Sequence, residues 1–225
     1  MKMLRKVADT RGEPFFFVPK AISLVSLRFY NGWLLQPRLR RPRRGFRRRK
    51  KSQMSYQDYI RYYPNFPKEG ITFIDWMPVM AHAEAFASLI DDLAALVAGR
   101  GFTKVAAIEA RGLMLGIPLS ERLHCGFVPL RKAGKLPGTC FGETYDLEYG
   151  TAAMEMQHDM VKPTDKVLVV DDLLALGGTL VAANRLVGNV TNQIEDLVFI
   201  RLTDLPQQLT EGVPLHCLLE MQEKA

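Results

Sequence analysis

A mainly parallel, twisted β-sheet flanked by helices is the fold class that the sequence predicts, and three observations predict it. Short apolar runs, KVAAI at residues 104–108, VLVV at 167–170 and DLVFI at 196–200, are nearly continuous rather than alternating, as strands buried on both faces must be. Helix-period segments separate them, so the connections are right-handed crossovers and the strands run parallel. At 225 residues and 48% hydrophobic content, the chain can bury one substantial core.

Taken in order, residues 55–62 predict a short helix that Tyr63-Pro64 ends, because a residue before proline is biased away from the helical region. FPKEGITF, residues 66–73, reads as a loop punctuated by Pro67 and Gly70. From His82 onward, Phe86, Leu89, Ile90, Leu93, Leu96 and Val97 recur at steps of three and four, the stripe of an amphipathic helix closed by Gly99. After the strand at 104–108, the turn EARG leads into a helix through Leu123, and residues 126–130 form the second strand. Residues 131–150, RKAGKLPGTCFGETYDLEYG, are glycine-rich and weak in apolar periodicity, which predicts a mobile excursion carrying function. A third strand at 166–170, a helix at 178–187 and a fourth strand at 196–200 follow. The polar loops after Ile108, Leu130 and Val170 then share the carboxyl edge of the sheet, where ligands of such sheets bind.

Charge is distributed unevenly. Residues 1–53 hold 16 of the 30 Lys and Arg and 2 of the 24 Asp and Glu, giving that arm +14 and leaving −8 for residues 54–225. Ten of the fourteen residues from 38 to 51 are basic, and so dense a like-charge run repels itself and is expected to be disordered in isolation. Three readings of the arm stand: an electrostatic contact with nucleic acid or another anionic surface, a transit-like peptide, or an extension without function ahead of Met54. On the third, a chain starting at Met54 is expected to fold and keep full activity. The division is therefore a basic extension, 1–53, and a folded domain, 54–225. Cys125, Cys140 and Cys217 are odd in number with no CxxC pair, pointing to a reducing cytoplasm rather than to a disulfide framework or zinc site. No apolar run approaches the roughly 18 to 20 residues that span a bilayer, so no membrane partner is expected.

VLVVDDLLALGGTL, residues 167–180, carries the chemistry. Read as a strand VLVV, a polar turn and a helix beginning near Gly178, it lets glycine backbone N–H groups converge on an anion at a helix N-terminus. Thr179 adds a hydroxyl. Asp171 and Asp172 would repel a phosphate, so they suit hydroxyls or a cation met through water. A sugar phosphate uses both features. The stretch lacks the Gly-Lys-Ser/Thr ending of a Walker loop and the GxGxxG dinucleotide fingerprint.

This stretch resembles the phosphoribosyl-pyrophosphate (PRPP) signature of type I phosphoribosyltransferases. FPKEGITF, AAIEARG, PLRKAGKLPG and YDLEYG are similar, in the same order, to motifs of their adenine-using branch. The resemblance implies the type I fold, with a small hood subdomain and a flexible catalytic loop. It also implies transfer of the 5-phosphoribosyl group of PRPP to N9 of adenine with magnesium, in a homodimer. By the same resemblance Asp171 and Asp172 hold the ribose hydroxyls, and Ala175, Leu176, Gly177, Gly178 and Thr179 wrap the 5′-phosphate. The turn at Glu109 and Ala110 takes the pyrophosphate across a non-proline cis peptide, with Arg111 supplying charge. Arg131, Lys132 and Lys135 reach the pyrophosphate. Glu148 is the acid/base for adenine and Tyr149 closes over the site. Thr72 and Ile74 read the base through their backbones, Phe73 stacks on it and Leu202 packs on its other side. Magnesium enters through PRPP and water, with no direct protein ligand assigned. The remaining Tyr, Trp and His residues read as packing or surface groups. A transferase for another purine, or a non-catalytic PRPP sensor using the basic arm on nucleic acid, are the alternatives.

Leu176, Ile74 and Leu113 depart from the family's usual Thr, Arg and Phe. A hydroxyl contact to a dianionic phosphate lost at Leu176 is expected to cost roughly 1.5 to 3 kcal/mol, about 10- to 100-fold in PRPP affinity.

Overall fold

The computed structural model describes residues 55–146 and 151–222. The basic arm, Met54, Glu148 and Tyr149 lie outside the described residues. A 3-10 turn at Tyr56–Tyr59 leads into β1 (Arg61–Pro64), β2 (Thr72–Asp75), α1 (Met77–Met80), α2 (Ala83–Leu96) and β3 (Lys104–Ile108). Then come α3 (Arg111–Leu123), β4 (Gly126–Lys132), β5 (Cys140–Asp146), β6 (Thr151–Gln157), β7 (Val167–Leu174), α4 (Gly178–Gly188), β8 (Ile194–Leu202) and β9 (Leu215–Met221).

The main sheet has seven strands in the order β5-β6-β4-β3-β7-β8-β9. The five from β4 to β9 run parallel, while β6 is antiparallel to β4, and β5 to β6. Successive strand residues point to opposite faces, so KVAAI divides: Val105 and Ala107 pack with Leu115 and Leu119 of α3, whereas Ala106 and Ile108 pack with Leu180, Ala183 and Leu186 of α4. Both faces are thereby covered, which is why the central strands read as continuous apolar runs. A separate two-stranded antiparallel sheet, β1 with β2, forms the small hood. Among the described residues no helix is long and apolar enough to cross a membrane.

Four expectations are corrected. The helix expected over residues 55–62 shrinks to one 3-10 turn, capped by Ser55 and Asp58, because Arg61–Pro64 pairs as a strand with Thr72–Asp75. The last two residues of FPKEGITF, Thr72 and Phe73, are consequently strand rather than loop. Residues 131–150, read as an excursion without a strand, contain β5, whose Cys140 to Asp146 pair with Thr151 to Gln157 of β6. The third strand does not stop before the acidic pair but runs through it to Leu174, because the β8 ladder continues to pair Asp171 with Val198 and Leu173 with Ile200.

One buried acid titrates through the fold. Asp196 on β8 is 2% exposed; the Asn184 amide donates to its Oδ2 at 2.9 Å, while Oδ1 of each residue is buried without a partner. Burial pushes the carboxyl up to about 7, against the opposing pull of the Asn184 hydrogen bond. Protonation gives this pair of unpartnered acceptors a donor. With the unfolded value near about 4, the contribution to stability is complete below that pH and is lost as pH rises through about 7. Between pH 5.5 and 8 the melting temperature is expected to fall by on the order of 5 °C more than in Asp196→Asn, whose amide supplies the donor at every pH. Parallel melting curves as a function of pH for the two proteins would refute this.

Candidate active site

At the carboxyl edge of the parallel strands, the segment from β7 to α4 lines a cavity of about 230 Å³, whose walls include Asp171, Ala175, Leu176, Gly177, Gly178 and Thr179. The first bond inside α4 runs from the Val181 amide to the Gly177 carbonyl (3.0 Å), so the amides of residues 177–180 come before it and have no intrahelical acceptor. Gly177 adopts φ +87°, a left-handed conformation that L side chains rarely take, and a Cβ there would collide with the Gln208 carbonyl oxygen. Gln208 also donates its amide to the Leu176 carbonyl at 2.8 Å. The loop is thus strapped from behind by the β8–β9 connection, and that connection is in turn held by Arg201, whose Nε donates to Gln207 Oε1 at 2.8 Å. The Leu176 side chain is 43% exposed. Leu176 is among the residues lining the cavity.

The adjacent acids have different surroundings. Asp171 lines the cavity, and its Oδ1 accepts the Asp172 amide at 2.9 Å. Burial, and then the charge of Asp172, raise its carboxyl well above the usual carboxylate range. Asp172 is buried; its Oδ2 accepts the Trp76 indole N–H at 2.6 Å and is ion-paired with Arg111, whose Nε lies 2.9 Å away. Gly112 makes room for the pair, since a Cβ there would lie 2.8 Å from the Val170 carbonyl and 3.0 Å from Asp171 Oδ1. The reading of Trp76 as a packing or surface group is therefore corrected, while Trp33 lies outside the described residues: Trp76 does pack edge-on against Phe199, but its polar edge joins the acid pair. Trp76 and Gln208 were not legible as site residues, because their partners lie 96 and 32 positions away in the chain.

Arg111 is central. Its guanidinium carbon stands 5.5 Å from the centroid of the Phe73 ring, whose edge contact is Phe66 at 5.3 Å. Thr72 and Ile74 are buried beside Phe73, and Ile74 and Leu202 belong to the core cluster under α2 and α3. The turn between β3 and α3 contains the expected cis peptide at Glu109-Ala110. Glu109 accepts from Arg131 Nε at 2.8 Å and from the Lys132 amide at 2.9 Å, and these bonds hold its carboxyl below the usual range. Arg131 is occupied by that turn, while Lys132 and Lys135 are exposed. The edge therefore brings together an anion cradle, a hydroxyl-accepting acid, a guanidinium and an aromatic ring. That set can hold a phosphorylated sugar beside a flat base. Among the described residues no group of three His, Cys, Asp or Glu could hold a metal ion.

Comparison with known proteins gives the same picture. The family model of the phosphoribosyl transferase domain matches residues 75–201. Adenine phosphoribosyltransferase of Photorhabdus laumondii is 41% identical over 171 residues, 74% of this chain and 93% of that protein. The crystal structure of adenine phosphoribosyltransferase from Thermoanaerobacter pseudethanolicus is similar with a TM-score of 0.69 at 40% identity, covering 74% of this chain and 98% of that one. That of Saccharomyces cerevisiae, complexed with adenine and an imino-altritol bisphosphate, has a TM-score of 0.69 at 36% identity, covering 73% and 96%.

Proposed function

The chain belongs to the phosphoribosyltransferase family, and on that premise we propose how its residues carry out the adenine-using reaction. The reaction joins adenine and PRPP to give AMP and pyrophosphate. The bond from ribose C1′ to pyrophosphate oxygen breaks with its electron pair leaving on pyrophosphate, the N9–C1′ bond forms, and adenine gives up its N9 proton.

The observation that carries the reading is the convergence of the α4 amides and Asp171 on one cavity. The amides of residues 177–179 and the Thr179 hydroxyl bind the 5′-phosphate, aided by the partial positive charge of the α4 N-terminus. Asp171 accepts from a ribose hydroxyl, and Asp172 anchors the neighbouring one and Arg111. Arg111, with Lys132 and Lys135, stabilises charge as it develops on the departing pyrophosphate, while Glu109 and Ala110 shape the turn beneath it. Phe73 stacks on adenine, the backbones of Thr72 and Ile74 read its edge, and Leu202 closes the apolar wall. Glu148 takes the N9 proton, and Tyr149 helps exclude water from the oxocarbenium-like centre. Magnesium bound to PRPP, with Asp171 facing its water shell, would supply charge neutralisation of the leaving group. The domain working in this way is residues 54–225, in the cytoplasm and as a homodimer. Met114 and Ile117, exposed on α3, offer a second copy an apolar face, and a monomeric active protein in light scattering would refute the dimer.

Purified protein with PRPP, magnesium and labelled adenine, guanine or hypoxanthine in turn tests the reaction. AMP from adenine alone is expected, and no AMP at high PRPP overturns the reading. Leu176→Thr is expected to lower the KM for PRPP several-fold by adding a hydroxyl beside the phosphate. An unchanged KM would show that the loop amides supply all the binding at this position.

A further inference from the structure

Resting on that reading, we infer that Trp76 is a positioning residue for the reaction: its indole N–H keeps Asp172 in place while Arg111 is shared with pyrophosphate. Asp172 Oδ2 accepts one hydrogen bond, from Trp76 Nε1 at 2.6 Å, and is ion-paired with Arg111, whose Nε lies 2.9 Å away. The two contacts together fix the carboxyl's rotamer beside Asp171. The two partners differ in what else they must do. Arg111 is 30% exposed, lies at the N-terminus of α3 over Phe73, and is the cation nearest the acid pair. Trp76 is 1% exposed, locked between the hood strand β2 and α1, with its ring edge-on to Phe199 at 5.9 Å. Its buried indole has a single N–H, and Asp172 takes it. When pyrophosphate draws on the guanidinium, the indole remains as the fixed donor, so Asp172 does not swing toward Arg111 and compete with the substrate for it. The same bond ties the hood, which carries Phe73 three residues earlier, to the strand that carries the acids.

Trp76→Phe keeps an aromatic ring against Phe199 and deletes the N–H. With wild-type enzyme forming AMP in the same assay, the KM for PRPP is expected to rise about 5- to 10-fold with kcat within about twofold. The KM for adenine is expected to hold. In an Asp172→Ala background, which leaves the indole no side-chain acceptor, the same substitution is expected to change the PRPP KM less than about twofold. Should Trp76→Phe fold poorly, benzothienylalanine in place of tryptophan, in a Trp33→Phe background, replaces the N–H by sulfur in a ring of nearly the same shape. An unchanged PRPP KM, or the same factor in both backgrounds, overturns the inference. A wild-type protein that forms no AMP removes the reaction itself and is a separate outcome.

Discussion

Gly177→Ala is expected to lower the affinity for PRPP by at least about 100-fold, the largest effect of a single methyl group in the site. Two costs add at this residue. At φ +87° an L side chain meets its own backbone, a penalty of roughly 1 to 2 kcal/mol. The new Cβ also collides with the Gln208 carbonyl oxygen, and a backbone atom cannot rotate away as a flexible side chain can. Relief requires the loop or the β8–β9 connection to shift, and either movement breaks the bond from the Gln208 amide to the Leu176 carbonyl and misaligns the amides ahead of Val181. Gly212→Ala separates the two costs, since Gly212 has φ +76° with nothing within 4 Å of an added methyl group. Calorimetric titration with PRPP and magnesium should show near-normal binding for the second variant and almost none for the first. Equal binding by both would mean that the strap does not shape the loop.

Arg111→Ala is expected to reduce kcat by about 10²- to 10³-fold, the usual cost of removing a group that stabilises developing charge. It also strips Asp172 of its ion-pair partner, leaving a buried carboxylate held by the Trp76 indole alone, and takes the cation from the Phe73 face. A fall in melting temperature of several degrees should accompany the kinetic loss. Arg111→Lys keeps the charge but not the planar fork, and is expected to recover stability more than rate. A kcat unchanged in Arg111→Ala would remove Arg111 from the chemistry.

The strands that were legible in the sequence are those whose burial is their own doing. KVAAI is apolar from its second residue on because both its faces are covered there, and its bounds match the observed strand residue for residue. The start of α4 at Gly178 was legible because glycines and a helix terminus make a local signal. Strands β1, β5, β6 and β9 were not, because they lie at or near the edges, where polar residues are tolerated and pairing rather than sequence fixes them. Tyr145 on β5 feels the charge of Asp171, which raises its hydroxyl after burial does, and no spacing rule connects residues 26 positions apart. The acidic pair was visible, but its division of labour was not. That Asp171 faces a cavity while Asp172 faces an indole and a guanidinium depends on where a hood more than 90 residues upstream comes to rest.

The β8–β9 connection looks like the kind of surface loop into which residues can be inserted or tags grafted without harm. The Gln208 strap gives it the opposite character. Gln207, Gln208 and Thr210 are fastened in turn to Arg201, Leu176 and Asn184, so the distance along the chain between these anchors sets the shape of the substrate loop. Evolutionary drift in its length would be read out as a change in substrate affinity, and any fluorescent label or affinity handle belongs elsewhere on the surface.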